Sequence, residues 1–126
     1  MKFKIDNKIF EQFPLLNIGI VIAKGINNAG ESPDAASMLT EQSASIQSQY
    51  DLETLKEVPK IKAWREAYSA FGAKPKKYTC SVENLYRMIL EGIHLRHINT
   101  VVDLYNFISL KHMVPVGGDD IDQVDG

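Results

Sequence analysis

Only one cysteine, Cys80, occurs in the 126 residues, so no disulfide can close within the chain. That economy suits a reducing compartment, and a cytoplasmic location is the expectation. No N-terminal run joins a basic start to a long apolar core, which argues against a secretory leader. The longest apolar segment, around Ile18 to Ala23, is far shorter than the ~20 residues that cross a bilayer, so no membrane partner is expected. Charge of one sign is scarce as well: 14 Lys and Arg face 16 Asp and Glu, a net charge of −2. Charge at this level is no proof of nucleic-acid binding, although the body without its acidic tail is mildly basic and compatible with a polyanion. Metal-site spacing is missing too. His94 and His97 lie three apart after a helix-stopping glycine, are expected to be exposed, and have no cysteine or carboxylate at a matching interval, so neither metal nor cofactor is expected. Gly25-Ile26-Asn27-Asn28-Ala29-Gly30 has the glycine spacing of a phosphate loop, but Glu31-Ser32 stands where Lys-Ser/Thr is required, and a turn is the expectation.

What is present suits one globular domain spanning 1–126. The hydrophobic share is 44% and the charged share 24% in 14.1 kDa, enough for a single core. An acidic tail over 119–126 holds Asp119, Asp120, Asp122 and Asp125; without those four acids the remainder carries +2. Phe3 and Ile5 alternate with lysines, as in a short half-buried strand, and Leu15 to Ala23 reads as a strand covered on both faces. Gly25, Asn27, Asn28 and Gly30 break it. Ser32-Pro33-Asp34 then starts a helix, with Ser32 as cap and Pro33 at the first position. Its Ser- and Gln-rich body, Ser37 to Gln49, predicts a helix on the surface or a mobile one.

Pro59 opens a second helical stretch carrying Ile61, Trp64, Tyr68 and Phe71 at helical spacing until Gly72 stops it. Ser81 is expected to cap the next, with Leu85, Met88 and Ile89 on its buried face and Gly92 at its end. Cys80 is read as a small buried neighbour of that cap. Ile98 to Leu110 forms the last helix, apolar nearly all round, and Thr100 with Asp103 resembles a capping box. Asn99, Asp103 and Asn106 form one polar stripe along it. Polar groups withdrawn from water cost about 1–3 kcal/mol each when unpaired, so the stripe either pins the helix or faces a ligand. The expected class is α+β, N-terminal strands followed by several helices.

Lys60, Lys62, Arg65, Lys74, Lys76 and Lys77 fall within eighteen residues against one acid, Glu66, with Tyr68 and Tyr78 interleaved. The cluster reads either as a solvated face and loop or as basic and aromatic groups for an RNA backbone and its bases.

Five stretches, in this order and spacing, carry a family resemblance: Trp64-Arg65-Glu66-Ala67-Tyr68, Phe71-Gly72-Ala73-Lys74-Pro75-Lys76-Lys77, Ser81-Val82-Glu83-Asn84-Leu85, Ile98-Asn99-Thr100-Val101-Val102-Asp103-Leu104-Tyr105-Asn106, and Pro115-Val116-Gly117. Together they resemble the B-three/four domain, the tRNA-editing domain of the phenylalanyl-tRNA synthetase beta chain, and especially its free-standing relatives. The resemblance covers the second half of the chain and implies the first part of such a domain. It implies recognition of the aminoacylated acceptor end of tRNA and hydrolysis, in trans, of the ester joining a wrong amino acid to it. An ester is already reactive, so binding, a positioned water and hydrogen bonds to the oxyanion suffice.

In the family's pocket a Thr-Asn pair and a His-Ala pair stand where this sequence has Tyr105-Asn106 and Gly117-Gly118. The resemblance thus implies catalytic roles for Asn106, Gly117 and Gly118, the glycines through backbone N–H groups. Substrate contacts fall to Tyr105, Asn106 and Asn99, and RNA phosphates to Lys74, Lys76 and Lys77. Family members continue past the Pro-Val-Gly stretch into further strands, so either a C-terminal segment is missing or a second copy covers the remaining core surface, as a homo-oligomer. The alternative reading is a non-catalytic RNA- or small-molecule-binding module whose editing activity was lost with the His.

Overall fold

Helices supply all the regular structure among the described residues. The computed structural model describes residues 1–125, which form α1 (Asn7–Gln12), α2 (Pro33–Gln49), α3 (Pro59–Ala70), α4 (Ser81–Leu90) and α5 (Thr100–His112), with 3-10 turns at Leu55–Glu57 and Ile121–Gln123. No strand occurs among the described residues, which overturns the expected α+β class with its N-terminal strands. The alternation at Phe3 and Ile5 and the apolar run from Leu15 to Ala23 are present, but a strand is stable only when its N–H and C=O groups find a neighbouring strand. Here that run has no ladder, and Val21 is 93% exposed.

The described residues group into two units: residues 1–27 with the stretch from Asp120 onward, and residues 28–119. In the first, Asp6 caps α1 by accepting from the Lys8 N–H at 2.9 Å, and no residue of that helix is buried. The second unit contains the core.

In that core α2, α4 and α5 pack on one another, and α3 packs on the Leu55–Glu57 turn. Ser32 Oγ accepts from the Ala35 N–H at 3.3 Å, Pro33 takes the first helical position, and Asp34 lies in the first turn, as the local chemistry dictates. Most of α2 is exposed, as its composition predicts, but one stripe anchors it. Ala35, Leu39 and Ile46, four and seven residues apart, make one buried stripe, so three small or aliphatic residues dock a helix whose other faces are Ser and Gln. Gln47 Nε2 further donates to the Ile89 carbonyl at 3.0 Å and ties α2 to the end of α4.

Helix α3 starts at Pro59 and ends before Gly72, whose φ of +87° is open to glycine at little cost. Helix α4 begins one residue earlier than a Ser81 cap requires: Ser81 is its first residue, and buried Cys80 holds the cap position without a side-chain bond. Its inner face is Val82, Glu83, Tyr86 and Ile89, with Leu85 and Met88 only half-buried. On α5, Asn99 caps in place of Thr100, its Oδ1 accepting from the Val102 N–H at 2.9 Å. Asn28 Oδ1 takes the adjacent Val101 N–H at 3.0 Å, so two otherwise unpaired donors of the first turn are satisfied.

Tyr86 locks α4 to α5 by donating to the Leu110 carbonyl at 2.7 Å, with the Tyr50 ring edge-on at 5.4 Å. Burial, aided by Tyr50, pushes the Tyr86 phenol up to about 12. Because the unfolded chain ionises near the ordinary value of about 10, stability is full below that pH and declines as pH climbs toward 12. Tyr86→Phe is expected to cost about 1 kcal/mol near neutrality and to flatten this alkaline decline, read by thermal unfolding from pH 7 to 11.5.

Candidate functional site

The polar stripe of α5 is built as its spacing requires, and each member does something different. Asn99 spends its carbonyl oxygen on the cap. Asp103, 1% exposed, directs Oδ2 to His97 Nδ1, while Oδ1 is buried with no hydrogen-bond partner among the described residues. Asn106 is half-buried, and its amide makes no hydrogen bond among the described residues.

Both histidines are exposed, as expected, but His97 also engages a buried carboxylate. It precedes the Asn99 cap by two residues and folds back over the fourth residue of the helix, close to the geometry in which a residue before a cap staples onto the first turn. Its side chain is 33% exposed. The spacing of six between His97 and Asp103 was the available signal. Between α2 and this loop lies a cavity of about 70 Å³, lined by Leu39, Thr40, Ser43, His94, His97 and Asp103 among others. The Thr40 and Ser43 hydroxyls donate to the Ala36 and Leu39 carbonyls at 3.0 and 2.8 Å, which leaves their lone pairs as acceptors.

Tyr105 lies about 100° round the helix from Asn106. Its ring seats on Gly118: a Cβ built there would meet Tyr105 Cε1 at 3.1 Å, so the close approach depends on glycine. Gly117 has open space around it. Asn106 has no atom within 4 Å of the Cβ position of either glycine, so the structure joins Tyr105 to Gly118 and leaves Asn106 apart from the pair.

The basic cluster is divided. Lys60 Nζ donates to the His112 carbonyl at 2.8 Å, and Arg65 Nη1 binds the buried Glu83 at 2.7 Å. Lys74, Lys76 and Lys77 remain exposed on a turn held by the Lys77 and Tyr78 N–H groups, both donating to the Lys74 carbonyl at 2.9 Å, and Lys77 Nζ stands 5.2 Å from the Tyr78 ring centre. Beside them a shallow groove of about 410 Å³ runs between Lys56, Lys62, Arg65, Glu66 and Pro75. Burial raises the Cys80 thiol above its ordinary value, so the lone cysteine is a core residue rather than a thiolate nucleophile. Among the described residues no group of three His, Cys, Asp or Glu could hold a metal ion, and no helix is long and apolar enough to cross a membrane.

With helices α3 to α5 and their loops in place, the family can be stated. The chain belongs to the B3/4 domain family, whose model matches residues 63–126, half of the sequence and the part that holds every motif from Trp64 to Gly117. That domain is associated with tRNA synthetases, like that of the phenylalanyl-tRNA synthetase beta chain, and the association is compatible with tRNA binding. No curated protein and no solved structure matches the chain.

Proposed function

We propose that the chain binds the aminoacylated acceptor end of tRNA and hydrolyses the ester of a mischarged amino acid in trans. The observation that carries this reading is the unpaired, half-buried Asn106 amide on the polar stripe of α5, inside the stretch that matches the family. An amide with no protein partner on a half-buried face keeps a donor and an acceptor for a substrate carbonyl or hydroxyl. Tyr105 is braced on Gly118, and in this reading it contacts the substrate while the N–H groups of Gly117 and Gly118 are donors for the oxyanion. The exposed lysines at 74, 76 and 77, with Tyr78, meet phosphates and a base of the single-stranded end.

The test is release of labelled amino acid from a panel of mischarged tRNAs. Wild-type protein is expected to release it, and Asn106→Ala to lower the rate by on the order of 10²-fold without changing the circular dichroism spectrum. Salt-dependent retardation of tRNA with no release would instead make the chain a binding module without the editing activity.

A further inference from the structure

A buried carboxylate needs a reason. Asp103 is buried in the first turn of α5, where an unpaired charge is expensive, and its oxygens are only half accounted for: Oδ2 engages His97 Nδ1, and Oδ1 has no partner among the described residues. An ionised carboxylate holding Nδ1 as its N–H selects the imidazole tautomer whose lone pair is on Nε2. His97 is one-third exposed and lines the cavity of about 70 Å³, room for a few water molecules. Across the cavity α2 contributes aliphatic groups and the Thr40 and Ser43 hydroxyls, and its other titratable group is His94. Asn106 lies three residues beyond Asp103, about 4.5 Å further along the helix and on the same side.

We propose that His97 is the general base for ester hydrolysis at this site, with Asp103 as its positioning residue; this step rests on the hydrolytic reading above. Nε2 takes a proton from water as the water oxygen forms a bond to the ester carbonyl carbon. The tetrahedral adduct then collapses, the bond from that carbon to the ribose oxygen breaks, and the departing oxygen recovers the proton from Nε2–H. One water is consumed, an amino acid and a free tRNA hydroxyl are formed, and His97 returns neutral. Asp103 keeps its charge throughout and stabilises the transient imidazolium.

The experiment is single-turnover release of amino acid from mischarged tRNA across pH 5.5–9 for wild type, His97→Gln and Asp103→Asn. Wild type is expected to lose rate on the acid side, as general-base catalysis requires. H97Q should fall 10²- to 10⁴-fold in the chemical step with little change in KM, and its profile should lose that limb. D103N should fall as well, and the double variant should be no slower than H97Q, as for residues acting as a unit. An H97Q protein that works at nearly the wild-type rate overturns the assignment and leaves the hydrolytic reading intact. A wild-type protein that releases nothing from any mischarged tRNA overturns both. Should a variant fail to fold, ring nitrogen-15 chemical shifts of the wild type decide: an unprotonated Nε2 in neutral His97 is expected, and an Nε2–H tautomer sinks the proposal.

Discussion

Arg65→Met is expected to destabilise the protein by about 3 kcal/mol, in the range found when one partner of a buried ion pair is removed. Glu83 is 1% exposed on the inner face of α4, with Arg65 Nη1 at 2.7 Å from Oε1. Arg87 Nε stands 3.5 Å from the same oxygen, one turn along the helix and without hydrogen-bond geometry. Oε2 has no hydrogen-bond partner among the described residues. Arg65 therefore makes the only close charged hydrogen bond to this carboxylate among the described residues, and without it a buried charge keeps one long contact. Because the Arg65 side chain is 21% exposed, the methionine keeps the packing of its stem against the core. The double variant R65M/E83M should recover much of the loss, since it removes both charges and leaves apolar groups of similar volume. Urea unfolding at constant m-value separates the two cases, and equal losses in the single and double variants would mean that the pair carries no such energy.

The second large effect belongs to the joint between α2, α4 and α5. Leu110 is wholly buried in the cluster that also holds Leu39, Ile46, Val82 and Ile89. Leu110→Ala is expected to cost about 3 kcal/mol, the loss of transfer energy plus the cavity left behind, against a total stability of about 5–15 kcal/mol. The Tyr86 hydrogen bond survives in this variant because it goes to the backbone carbonyl. Leu104→Ala, six residues earlier on the exposed side of the same helix, should change stability by less than about 0.5 kcal/mol. Thermal unfolding of the pair tests whether α5 docks by the face described; similar losses at both positions would contradict it.

Features that depend on a few neighbouring residues were legible in the chain, and those that depend on distant ones were not. Ser32-Pro33-Asp34, Pro59, Gly72 and Gly92 mark helix ends because capping bonds, the fixed φ of proline and the free φ of glycine act within one turn. The polar stripe on α5 follows from spacing alone, since the helical period puts Asn99, Asp103 and Asn106 on one side. The motifs from Trp64 to Gly117 likewise identify the B3/4 family, and the match covers them. Even here local rules misjudged by one residue where two good capping residues adjoin, as at Asn99 and Thr100.

The amino-acid sequence by itself thus determined the ends of α2 and α3, those of α4 and α5 to within two residues, the polar stripe and the family, but not α1. Only the tertiary structure decided that α2, for all its serines and glutamines, docks on the core through Ala35, Leu39 and Ile46; that Arg65 pairs with Glu83, eighteen residues away; and that Tyr105 rests on Gly118 while His97 turns back onto Asp103. It also decided that the apolar run from Leu15 to Ala23 forms no strand among the described residues. The physical reason is common to all of these. A cap or a glycine turn is stabilised by its own neighbours, whereas burial, ion pairing and strand formation each require a second surface, and which surface arrives is set by the packing of the chain as a whole.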